Sequence, residues 1–212
     1  MKLGMSRGSV FFVIGVAILG GIAAAKSGMT AGDICGWAIP WLTVLAAAGV
    51  HELGHVIAAW GAGVRIGGLK LDLFGARMEL KGLLSYGQEF FVAAGGPFSS
   101  LLCALGTYPL GAGDSGEEWE LFCGASLVLG VVNLLPVGTL DGGRMLRCGA
   151  AWLWGDRVAT GIMRVTTAVF LGGLWMVAVY GLLRAGSLLS LFVFSLCLLL
   201  RTLSGAAEPT ER

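Results

Sequence analysis

Six long apolar runs constrain the fold of this chain more than any other feature of it. They extend near Ser9 to Ala25, Trp37 to Ala62, Phe90 to Leu110, Leu121 to Pro136, Ile162 to Leu183 and Ser187 to Leu203. A helix that crosses the hydrocarbon core of a bilayer needs roughly 20 mostly apolar residues. In lipid every backbone N–H and C=O must be satisfied inside such an element. With 56% hydrophobic and only 13% charged residues in a chain of 212, a water-soluble domain is excluded. The expected fold is all-α: a polytopic membrane protein with six transmembrane helices.

Lys and Arg are held on the cytoplasmic side during insertion. An inside N-terminus puts Lys2, Arg7, Arg65, Lys70, Arg77, Lys81, Arg144, Arg147, Arg157, Arg164, Arg201 and Arg212 in the cytoplasm and leaves Lys26 and Arg184 outside. Both termini are therefore expected to be cytoplasmic. The loop holding Asp114, Glu117, Glu118 and Glu120 has no basic residue and suits an external connection. An alternative for the first run is a cleaved signal peptide, since Lys2 and Arg7 precede an apolar stretch ending in Ala23-Ala24-Ala25. No repeat interrupts the chain, so residues 1–204 are read as one six-span domain. The polar tail from Gly205 to Arg212 is expected to be disordered.

The five cysteines, Cys35, Cys103, Cys123, Cys148 and Cys197, are far apart and form no C-x-x-C pair. They are expected to be packing residues, with neither a disulfide framework nor a cysteine metal site. A net charge of +1 gives no basic footprint for nucleic acid.

One connection has a pattern of its own. In VRIGGLKLDLFGARMEL, Val64 to Leu80, apolar and polar residues alternate from Leu69 to Phe74 and again from Arg77 to Leu80, a strand signal. A tight turn at Gly75-Ala76 would make this a short membrane-associated β-hairpin after the second span. An extended peptide could add to its edge as a strand, with Leu69, Leu71 and Leu73 as the residues that bind it. The same leucines could instead seat the loop on the membrane surface.

The second apolar run contains His51-Glu52-Leu53-Gly54-His55. At 3.6 residues per turn, positions four apart lie about 40° apart around a helix, so both imidazoles reach one point and can grip one zinc ion. Glu52 lies about 100° from His51, near enough to serve a water on that metal without ligating it. These are the only two histidines in the chain, and a carboxylate at membrane depth costs about 2.5 to 3.5 kcal/mol, which argues against a chance occurrence. Zinc in a hydrolase usually has three protein ligands and one open position. Asp141, at the cytoplasmic end of the fourth span, is the candidate third ligand; its alternative role is a helix cap or loop carboxylate.

These residues resemble the site-2 protease family of intramembrane zinc metalloproteases. HELGHVIAAWGAGVRI is similar to the family's first motif and NLLPVGTLDGGRML to its second. AAGGPFSSLL, Ala93 to Leu102, is similar to its Gly-Pro segment, and the alternating connection to its membrane-associated hairpin. In size and wording the chain is most similar to the sporulation branch, which processes a membrane-tethered sigma-factor precursor. Thr139 stands where proline is common and Ser100 where asparagine is frequent. Because the chain ends soon after its last span, the CBS domain of that branch and nucleotide-linked control are not expected.

The resemblance implies a zinc metalloendopeptidase with Glu52 as general base. It also implies that Asn133 holds the substrate backbone or the developing oxyanion, the alternative being an interhelical hydrogen bond. Implied partners are single-span or membrane-tethered proteins, such as a sigma-factor precursor or an anti-sigma factor, and a membrane-embedded regulator. The implied location is a bacterial plasma membrane or forespore membrane. Two competing functions remain. A non-catalytic binding protein or chaperone would not need the intact Glu52, and a zinc transporter would need polar residues in the outer halves of the spans, which offer almost none.

Overall fold

A computed structural model of the protein describes residues 2–5, 30–72, 75–107, 116–185 and 189–206. The first expected span, Ser9 to Ala25, together with Leu73 and residues 207–212, lies outside them. The elements in chain order are β1 (Lys2–Met5), α1 (Ala31–Gly61), β2 (Arg65–Asp72), β3 (Gly75–Lys81), α2 (Tyr86–Thr107), α3 (Glu117–Asn133), α4 (Asp141–Trp154), α5 (Asp156–Ala185) and α6 (Leu189–Ala206). Three helical stretches are long and apolar enough to cross a membrane: Ala38–Gly61, Tyr86–Thr107 and Asp156–Arg184. They match the second, third and fifth expected spans. α3 and α6 form where the fourth and last spans were expected, at 17 and 18 residues shorter than these three stretches, and Gly205 and Ala206 end α6.

The described residues fall into two compact units, Met1–Leu84 with Gly95–Gly130, and Ser85–Ala94 with Val131–Arg212. In the first, α1 begins with a capping box. Thr30 Oγ1 accepts from Asp33 N–H, and Asp33 Oδ2 accepts from Thr30 N–H at 2.8 Å. The Thr30 hydroxyl, which donates to Asp33 Oδ2 at 2.7 Å, and then the Thr30 N–H hold the Asp33 carboxyl below the usual carboxylate range. α1 stops where Gly63 adopts φ 69°, and the N–H groups of Gly63 and Val64 turn back onto the carbonyls of Trp60 and Ala59. Strand β2 starts at the next residue.

β2 pairs antiparallel with β3, with Arg65 opposite Lys81 and Asp72 opposite Gly75. The hairpin is therefore present, but its turn lies earlier than Gly75-Ala76, because Ala76 continues the alternation of Met78 and Leu80 and pairs with Leu71. β1 adds parallel to the other side of β2, so the sheet has three strands in the order β1-β2-β3. A four-residue strand of mixed character, KLGM, carries too little alternation to be read from sequence.

α1 and residues 95–107 of α2 meet through glycine. A side chain at Gly54 would run into the Gly95 carbonyl and Ser99, and one at Gly95 into the Gly54 carbonyl and Ala58. Small residues of this kind let two backbones approach closely.

In the second unit, Val137, Leu140, Leu171 and Leu198 form a buried cluster, and Ala150 and Ala151 of α4 pack with Ala159 of α5. Arg147 Nη2 donates to both carboxylate oxygens of Glu89, at 2.9 and 3.1 Å, and the Tyr86 hydroxyl donates to Asp156 at 2.6 Å. These bonds tie residues 85–94 to α4 and α5. Burial, then the Glu89 carboxylate, pushes the Cys148 thiol up to about 11, so it stays a neutral packing residue. α4 itself was unexpected. Its 14 residues include Asp141, Arg144 and Arg147, so a search for apolar runs of spanning length passes over it.

Candidate metal centre

The site in the first unit is built on one turn of α1. His51 and His55 point the same way, with ring centroids 5.0 Å apart and planes at 81°, and both are buried, 5% and 7% exposed. Glu52, one residue on, is half-buried. The four-residue spacing thus does what helix geometry demands of it.

A second set of contacts comes from α2. Ser100 Oγ lies 2.9 Å from His51 Nδ1, and Gly96 N–H donates to His55 Nδ1 at 3.3 Å. Ser99 Oγ lies 3.1 Å from the Val50 carbonyl and 2.8 Å from that of Gly96, which fixes the height of α2 against α1. A Cβ at Gly96 would collide with the Nε2 atoms of both histidines, so glycine keeps the space before these nitrogens clear. Two buried imidazole nitrogens converging over an open cradle fit a zinc ion. Sequence reading singled out neither Gly96 nor Ser100 as site residues. The signal was available: they are four apart, the same spacing as the two histidines they meet.

Of the remaining expected residues, Asn133 and Asp141 lie in the second unit. Asn133 is the last residue of α3. Asp141 is the first residue of α4; the N-cap is Leu140, which makes no side-chain cap bond. The carboxylate is thus neither cap nor loop, and sits at the positive end of the helix dipole. Its side chain is 13% exposed, and Arg144 Nη1 is 3.8 Å from Oδ1. Here too glycine sets the path. A side chain at Gly142 would meet the Leu134 and Leu135 carbonyls, and one at Gly143 the Val137 carbonyl. The segment after α3 therefore folds back directly onto the start of α4. Leu69 and Leu71 lie in β2, opposite Met78 and Ala76 of β3.

No protein-family model matches the chain. Rip3 of Mycobacterium tuberculosis, named as a zinc metalloprotease, is 36% identical over 132 residues, covering 56% of this chain and 33% of that protein. The sll0528 protein of Synechocystis, likewise named, is 33% identical over 120 residues, covering 52% and 32%. EGY2 of Arabidopsis thaliana, a chloroplastic protein of the same designation, is 23% identical over 167 residues, covering 57% and 29%. The chain thus spans about a third of the length of the curated relatives it matches. Among solved structures, the site-2 protease from Methanocaldococcus jannaschii shares the fold, with a TM-score of 0.68 and 19% identity over 99% of this chain and 93% of that one.

Proposed function

We propose that this chain is a member of the site-2 protease family and an intramembrane zinc metalloendopeptidase, a reading supported by its zinc-metalloprotease relatives and its shared fold. It would hydrolyse peptide bonds of membrane-tethered proteins, such as a sigma-factor precursor or an anti-sigma factor, near the cytoplasmic side of the bilayer. The observation that carries this reading is the convergence of two buried imidazoles beside Glu52 on a helix apolar and long enough to cross a membrane. A six-span arrangement with both termini in the cytoplasm completes the proposal. The positive-inside distribution of Lys and Arg supports it.

In this reading His51 and His55 hold zinc with Asp141 as third ligand, a set of two nitrogens and one carboxylate oxygen common to zinc hydrolases. Bound zinc would acidify a water molecule and polarise the scissile carbonyl. Glu52 takes the proton from that water as it attacks, and afterwards delivers it to the leaving amine. The Asn133 amide donates to the substrate backbone or to the oxygen on which negative charge develops. Purified protein in liposomes with a single-span substrate should hold one zinc, lose cleavage to a strong chelator and regain it on adding zinc. Asp141→Asn should weaken zinc binding more than Asn133→Ala does. A folded wild-type protein that takes up no zinc would overturn the assignment, and equal affinity in wild type and Asp141→Asn would move the third ligand elsewhere.

A peptide must be extended where it is cut, and strand addition would satisfy its backbone after unwinding. With β1 on one side of β2 and β3 on the other, the outer edges among the described residues are those of β1 and β3, and β3, with seven residues against four, is the longer one for a substrate to join. Leu69 and Leu71 would then lie in the strand next to the one that the substrate joins rather than at the open edge. Proline at either Arg77 or Met78 removes an outward donor in one case and a ladder donor in the other. The outward one should cut cleavage about five- to tenfold, the worth of roughly one backbone hydrogen bond, with zinc content unchanged. Wild-type cleavage in both folded variants would leave the sheet as a membrane anchor.

A further inference from the structure

We propose that Ser100 is the positioning residue of the metal site: its hydroxyl fixes the ring angle of His51 and accepts the Nδ1 proton of the tautomer that presents Nε2 to zinc. The inference rests on the zinc reading above and adds a residue to it.

Three observations carry it. Ser100 is fully buried, and its Oγ lies 2.9 Å from Nδ1 of a histidine that is itself 5% exposed. The height of Ser100 is set independently of that contact, because its neighbour Ser99 bonds to the Val50 carbonyl one residue before His51 and because Gly96, one turn earlier, lets α2 approach the imidazoles. The third observation is chemical. A histidine that ligates a metal through Nε2 carries its proton on Nδ1 and needs an acceptor there. The hydroxyl opposite His51 can accept. The Gly96 N–H opposite His55 can only donate, so its contact suits the metal-free ring and cannot orient a loaded one. His51 thus has a buried neighbour able to accept from the ligating tautomer. A hydroxyl does this without placing another charge at membrane depth, where a carboxylate would be expensive.

The test compares Ser100→Ala, Ser100→Cys and Ser100→Thr in the full chain. Zinc affinity is read by competition with a chromophoric chelator, and tautomers by nitrogen-15 spectra of histidine-labelled protein. With only two histidines in the sequence, these spectra contain two rings. Ser100→Ala should weaken zinc binding about 10- to 100-fold, the usual effect of losing an outer partner of a ligand. In zinc-loaded wild type His51 should show a protonated, hydrogen-bonded Nδ1, and that signature should be lost in the alanine variant. Ser100→Thr keeps the acceptor and should restore both readings. Ser100→Cys keeps the size but is a poor acceptor, so it should behave like alanine, and it serves if the alanine variant does not fold. Wild-type affinity and an unchanged His51 signature in Ser100→Cys would overturn the role of Ser100 and leave the zinc site standing. Absence of zinc from the wild type itself would instead remove the reading on which the role depends.

Discussion

Glu52→Gln is expected to lower peptide cleavage by about 10²- to 10⁴-fold, the usual span for loss of a general base, while leaving zinc content and thermal unfolding close to wild type. The amide has nearly the shape of the carboxylate, so packing on α1 is preserved. It cannot accept a proton from water, however, and cannot carry one to the leaving amine. Glu52 is half-buried beside two buried histidines, so removing its charge also lessens a desolvation cost and should not weaken the fold. Zinc per chain, unfolding temperature and single-turnover cleavage should be measured on one preparation. Cleavage near the wild-type rate would assign the proton transfer to another group.

Gly96→Ala is the second large effect, and it acts through space. A single methyl at this position would meet Nε2 and Cε1 of His55 and Nε2 of His51. Neither ring has room to retreat, because both are buried and the backbones of α1 and α2 are already in contact through Gly54 and Gly95. Overpacking of this kind costs about 1–3 kcal/mol. The methyl also occupies the space into which the ligating nitrogens point, so zinc affinity should fall by about 100-fold or more, the upper end for a disturbed ligand shell. Gly49→Ala on the same helix is the control. Nothing lies within 4 Å of a Cβ there, and alanine is a better helix former than glycine by about 1 kcal/mol. Wild-type zinc affinity in Gly96→Ala would show that α2 does not border the site in this way.

How much of this was legible beforehand differs from residue to residue, for physical reasons. His51, Glu52 and His55 could be read because one helix positions all three, so spacing alone decides their directions. The β2–β3 pairing could be read from period-two alternation. The turn was misplaced because Gly75 and Ala76 look like turn residues although their neighbours' pattern runs straight through them. β1 and α4 were not legible, the first being too short for a pattern and the second too polar for a span search. Ser100 and Gly96 acquire their meaning only when α2 meets α1, and their four-residue spacing, which matches that of the histidines, is the one local trace of that contact. Burial of Asp141 and its place at the first turn of α4 likewise depend on Gly142 and Gly143 meeting the carbonyls of Leu134, Leu135 and Val137.

The end of α1 has a mechanical consequence. Between Gly61 and the first residue of β2 stand only Ala62, Gly63 and Val64, and their three N–H groups are clamped back onto α1 at Ala58, Trp60 and Ala59. His55 lies six residues before Gly61, about 9 Å along the axis. So short and tightly bonded a joint has little slack, and it behaves as a rigid coupling rather than a tether. A load applied to β2 is transmitted along α1 to the imidazoles, and the sheet and the two histidines shift as parts of one lever.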